Sequence, residues 1–267
     1  TVGAAMGTAA ASGVIGVVFV TLLFSDRLVV RFSRTMSWSP DWRVIRELFR
    51  FGLPTGFQGI VMNISGIFLL RFIGSLEHSA EAQAAYAVSY TELFALITWT
   101  SVGLMGATAA VAGQNLGAGR PDRSARAAKV AATFGLGVAA VVGLMFIVFP
   151  RLLLAIFSLD DGIPYELGSQ LLRYLAVSGF FVTIALTYTG GLQGTGDTRS
   201  PLYISIVSQF AVPIGMCMYF SLSQGLRPED IWLAIVVGHI TRATLSVLRF
   251  RQGKWRDIAV DIGPSPA

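Results

Sequence analysis

Seven stretches of about 20 residues, almost free of charge and separated by polar turns, constrain this chain more than any other feature. A helix needs about 20 apolar residues to cross the hydrocarbon core of a bilayer. A soluble core cannot hide that many such runs in succession. They lie at roughly 2–24, 52–74, 83–112, 128–150, 169–193, 201–222 and 230–249. Composition points the same way: 54% of residues are hydrophobic and only 13% charged, where a soluble domain carries about a quarter charged residues. The expected fold class is an all-α polytopic membrane protein with seven transmembrane helices.

The formal net charge of +5 would raise nucleic-acid binding in a soluble chain. Here the basic residues sit in alternate links, so topology accounts for them and no nucleic-acid partner is implied. The link after the first span holds Arg27, Arg31, Arg34, Arg43, Arg46 and Arg50. The link after the third holds Arg120, Arg123, Arg126 and Lys129, and the tail holds Arg251, Lys254 and Arg256. The intervening links offer none in 75–82, Arg151 in 151–168 and Arg227 in 223–229. The positive-inside rule makes the rich set cytoplasmic, which predicts a multi-pass protein of the cell (inner) membrane with a cytoplasmic C-terminus. The first span then enters from outside, so an odd number of crossings is expected before it in a protein whose N-terminus is cytoplasmic. Thr1 opens directly on an apolar run, which reads as the back part of a longer transporter rather than as a signal peptide. The single cysteine, Cys217, lies in an apolar run and offers no disulfide or cysteine metal site.

Two connecting stretches carry further detail. "SPDWRVIRELFRF" (39–51) places Trp42, Ile45, Leu48 and Phe49 among arginines at helical spacing, which predicts a short amphipathic helix on the inner surface before the second span. "VAGQNLGAGRPDRSARAAKV" (111–130) carries Gly113, Gly117 and Gly119. A phosphate loop needs four residues between its glycines, then Lys and Ser or Thr, after a strand. Neither condition is met. Gly117 and Gly119 instead end one helix, Pro121 opens the next, and the basic residues hold the turn in the cytoplasm.

"AAVAGQNLGAGRPDRSARAA" (109–128) resembles the loop after the second helix of the C-terminal lobe in multidrug and toxic compound extrusion (MATE) transporters. "RFGLPTGFQGIVMNISG" (50–66) resembles the start of that lobe, and "GGLQGTGDTRSPLYIS" (190–205) the turn between its fourth and fifth helices. "LRFRQGKW" (248–255) is similar to the family's usual ending. The resemblance implies that 1–24 is the last helix of an N-terminal lobe, 25–51 a cytoplasmic linker, 52–250 a six-helix lobe and 251–267 a cytoplasmic tail. It also implies two lobes facing each other across a cavity, with alternating access driven by inward Na⁺ or H⁺ and no other cofactor or metal. Some Na⁺-coupled members carry a glutamate in the first helix of this lobe and an aspartate in its fourth. This chain has Met62 and Asn63 in the second span and no acid from Leu171 to Gly196.

A charge facing lipid at mid-membrane costs about 2.5 to 3.5 kcal/mol, so intramembrane polar residues are the candidate site. Glu92, the acid well inside a span, shares a helical face with Ala85, Ser89, Leu96, Trp99, Gly103, Gly106 and Ala110. It is read either as taking up the coupling cation or a cationic drug, or as pairing with Arg71 or Arg173. Gln58, Asn63, Tyr86, Tyr90, Tyr174, Ser178, Thr187, Tyr188 and Gln193 can offer hydrogen bonds to a substrate or join helices. Met62, Phe68, Met105, Phe180 and Phe181 can offer adaptable apolar contacts or face lipid. His239 and Arg242 read first as a packing pair, with Arg242 snorkelling inward, and second as a proton relay. "NIS" at 63–65 lies within a span and carries no glycan. Pro54 and Pro213 are candidate kinks, and Asp197 and Arg199 are expected to cap an inner turn.

The leading reading is an antiporter exporting amphipathic or cationic drugs, with small-molecule substrates, membrane lipid and a missing N-terminal lobe as partners. A lipid-linked oligosaccharide flippase of the same superfamily, which would need a basic cavity, is the alternative. From other classes, a non-transporting membrane scaffold stays open. An intramembrane enzyme lacks a nucleophile with its base, and no H-E-x-x-H motif is present.

Overall fold

The computed structural model describes residues 2–25 and 39–258. Its long helices are α1 (Val2–Leu23), α2 (Trp42–Ile73), α3 (Ser79–Gly117), α4 (Pro121–Val148), α5 (Gly162–Gly194), α6 (Arg199–Ser223) and α7 (Pro228–Arg251). All seven are long and apolar enough to cross a membrane. The chain divides into two compact units at Ile45. Arg27, Arg31 and Arg34 of the first link, and the tail from residue 259, lie outside the described residues.

The amphipathic segment expected over 39–51 is not a separate element. From Trp42 it runs on as one helix through Pro54 to Ile73. Asp41 starts it by accepting the amides of Arg43 and Val44, so the helix begins a full turn and more before the apolar run. The stretch 111–130 folds as its residues dictate. Helix α3 ends at Gly117, Gly119 takes φ +68°, a left-handed conformation open to glycine, and Pro121 occupies the first turn of α4. Ser124 closes the corner by donating to the Ala112 carbonyl at 2.7 Å.

Helix α5 is the centre of the six-helix unit, packed against α3, α4 and α7, with α6 beside α7. Small residues allow that position. At Gly190 and Gly194 an added Cβ would strike the carbonyls of Met105 and Ala109, so α3 and α5 cross nearly backbone to backbone. Mostly covered by its neighbours, α5 carries buried Ser178, Thr183, Thr187 and Thr189, and Thr183 meets Ser101 of α3 at 2.9 Å.

Two spans contain a π-helical turn, Ala87–Leu93 in α3 and Ile206–Ala211 in α6. The second sits just before Pro213, whose missing amide cannot bond the carbonyl four residues back. That carbonyl is Gln209's, and Ser65 of α2 donates its hydroxyl to it. The Ser208 carbonyl, which the five-residue register of the π turn would pair with position 213, lies so near Gly238 of α7 that a Cβ there would come within 2.7 Å. One proline thus draws α2 and α7 onto α6. At the turn after α5, Asp197 accepts from the amide and hydroxyl of Ser200, as a capping residue should. It also pairs with Arg249 of α7 at 2.8 Å, a tie that sequence reading missed.

Candidate substrate cleft

Helices α2, α3, α6 and α7 enclose a cleft of about 420 Å³. Its floor follows from helical spacing: Tyr86 and Tyr90, one turn apart on α3, stack at 4.9 Å with their planes 10° apart. Tyr86 continues onto Trp232 at 6.3 Å, and Phe94 onto His239 at 6.0 Å. The opposite wall is α2, with Met62 and the glycines Gly59 and Gly66. Such a mixture of flat aromatic faces, a flexible thioether and a few polar groups suits planar amphipathic molecules.

The polar groups divide into satisfied and unsatisfied sets. Gln58, 6% exposed, donates to Ser205 at 2.8 Å and accepts from Gln193 at 3.1 Å. That chain joins α2, α5 and α6, so Gln58 and Gln193 come together as interhelical glue. Asn63 lines the cleft, and its amide nitrogen bonds the Gly59 carbonyl of its own helix at 2.9 Å. Tyr90, His239 and Gln209 also line the cleft. Gln209 Nε2 and His239 Nδ1 have no hydrogen-bond partner. Arg242, one turn beyond His239 and within electrostatic reach of Tyr90, is 4% exposed with an unbonded Nε. Among the described residues no carboxylate pairs with it. It does not snorkel into water, as the sequence reading expected of a packing pair.

Gln58, Gln193 and Arg242 are not among the residues that line the cleft, and Glu92 and Tyr188 fall elsewhere. Glu92 stands on the exposed side of α3, and neither the Arg71 nor the Arg173 pair forms. The helical face drawn through it is broken by the π turn. Ala85 and Ser89 are buried, with Ser89 donating to the Gly168 carbonyl of α5, while Glu92, Leu96, Trp99, Gly103, Gly106 and Ala110 lie outward. Tyr188, five residues before Gln193 on α5, is edge-on to Phe250 at 5.2 Å and joins a different cavity. Ser65 and Gln209 line the cleft although the sequence reading did not single them out, and the same holds for Ser205 in the Gln58 chain. The signal for one of them was Pro213, four residues after Gln209.

The MatE family pattern matches residues 54–218, more than half of the chain. The chain belongs to the MatE family. A probable multidrug resistance protein NorM of Xanthomonas axonopodis pv. citri is 30% identical over 217 residues, which are 80% of this chain and 46% of that protein. Its counterpart from Thermotoga maritima is 28% identical over 225 residues, 83% and 47% of the two chains. This MatE chain therefore spans about half the length of the curated relatives it matches. Its fold is that of a multidrug resistance MATE family transporter of the MOP superfamily solved in an outward-facing conformation. The TM-score is 0.81 at 19% identity, covering 92% of this chain and 55% of the other. As a MatE protein with seven membrane-length helices, it is a multi-pass membrane protein.

Proposed function

We propose that this chain contributes one six-helix lobe to a secondary antiporter that exports amphipathic or cationic compounds in exchange for Na⁺ or H⁺. The observation that carries the reading is the aromatic, polar-studded cleft between α2, α3, α6 and α7, set in a MatE fold. No acid lines that cleft, so the coupling cation is taken up outside it. Glu92 is the candidate: an unpaired carboxylate within a span must meet water or another protein surface, which fits a face turned toward a second lobe. The test is dye efflux from cells lacking other pumps and expressing the full-length protein. Ethidium export that collapses when the Na⁺ or H⁺ gradient is dissipated supports the reading, and a Glu92→Gln variant present in the membrane should lose most of it. Gradient-independent export, or none, would refute it.

Buried Arg242 and His239 favour a second reading, a flippase for an anionic lipid-linked sugar, because a basic interior suits a phosphate-bearing cargo. Against it, the cleft lining holds no arginine or lysine. Transport of an anionic lipid analogue in preference to ethidium would decide for the flippase.

A further inference from the structure

A second cavity, of about 740 Å³, opens at the arginine-rich end of the unit, between α4, α5, α7 and the turn that follows α7. Its wall is preorganised. Gly253, at φ +72°, turns the chain back so that Trp255, 1% exposed, stacks on Phe250 at 4.9 Å. The Trp255 indole N–H then donates to the Phe250 carbonyl at 2.8 Å. Tyr188 completes this aromatic floor. Around the rim stand Lys129, Arg251, Lys254 and Arg256, against one acid, Asp257. Arg256 is tied to Asp122 at 3.2 Å, whereas Lys129, Arg251 and Lys254 have no ion pair among the described residues.

Three free cations over an aromatic floor call for an oxyanion, and the flanks say which kind. On α4 the exposed side chains next to Lys129 and one turn further are Val130 and Phe134, and on α7 the residue one turn before Arg251 is exposed Leu248. Each flank is therefore charged at the end and apolar toward the middle of the span, the profile of a headgroup boundary with acyl chains beside it. A free phosphate would need the cations but not the apolar flanks. We infer that this cavity is a binding site for the headgroup of an anionic phospholipid, held by Lys129, Arg251 and Lys254 with its acyl chains along Val130, Phe134 and Leu248. The site is independent of the cleft and of what the protein transports. It also gives Tyr188 a place outside the substrate path.

Native mass spectrometry of the full-length protein, with phosphatidylglycerol or phosphatidylcholine added to the detergent, tests this. The wild type should retain phosphatidylglycerol saturably and roughly a hundredfold in preference, the weight of three basic residues at an anionic surface. Lys129→Ser, Arg251→Ser and Lys254→Ser together should erase the preference, and the swap Lys129→Arg, Arg251→Lys and Lys254→Arg should keep it. Ala125→Phe, which fills the cavity and leaves every charge, should lower retention as well. Equal retention of the two lipids by the wild type overturns the proposal without any variant. Unchanged retention in the serine or phenylalanine variants overturns it too. Displacement of phosphatidylglycerol by millimolar inorganic phosphate would show a site for free oxyanions and not for lipid.

Discussion

Ser65 and Gln209 show how one missing atom organises a site. Pro213 removes one backbone donor next to the π turn, and the Ser65 hydroxyl donates to the Gln209 carbonyl four residues before the proline. Ser65→Ala should therefore cost about 1 kcal/mol, the net worth of such a bond. In a Pro213→Ala background, where the amide returns, the same change should cost clearly less. Thermal unfolding of the four variants of that cycle in detergent measures the difference. Equal costs would mean that the bond is not a response to the proline. Sequence reading saw Gln58, Asn63, Tyr90 and Gln193 because polar residues stand out in apolar runs. It did not see Ser65, since a serine in a span is ordinary and its partner is a backbone atom 144 positions away. Glu92 was legible as a residue and its surroundings were not: a 3.6-residue period assumes no π turn, and Ala87–Leu93 is one.

At the scale of elements, the crossing of α3 and α5 depends on what is absent from two glycines. A methyl group at Gly194 would meet the Ala109 carbonyl, a backbone atom that can yield only if the whole helix moves. Gly194→Ala should lower stability by about 3 kcal/mol, the upper end for overpacking. Gly103→Ala, with nothing within 4 Å of the added methyl group, should stay within about 0.5 kcal/mol of the parent. Comparable melting shifts for the two would argue against backbone contact as the determinant. The helices themselves were readable from apolar length, but their ends were not. Helix α4 starts at Pro121 rather than near 128, and α5 at Gly162 rather than near 169, because capping and turn chemistry extend helices past the hydrocarbon. The 33 residues of α5 span roughly 50 Å. Gln193 and Tyr188, only five residues apart on it, nonetheless belong to separate sites because they face different neighbours, Gln58 and Phe250.

For the whole molecule, the alternation of basic and neutral links makes a topological prediction. Cys217 is fully buried, so cysteines introduced at surface positions can be labelled selectively. Residues placed at 120–126 should react with a membrane-impermeant reagent only from the cytoplasm, and those at 77–81 only from outside. Reaction of both sets from one side would contradict the arrangement of spans. The family and the helical class were legible from the chain alone, since apolar runs and turn motifs are local. The cleft was not, because it arises where α2, α3, α6 and α7 meet.

The central place of α5 has a consequence for biosynthesis. One flank of α5 is covered by α7, which leaves the ribosome after it. Until α7 docks, Ser178, Thr183 and their neighbours have only part of their protein surroundings, and lipid is a poor substitute. The unit is therefore incomplete until α7 has docked on α5. A chain ending before Pro228 should be drawn to quality-control proteases, with a half-life in pulse–chase well below that of the parent.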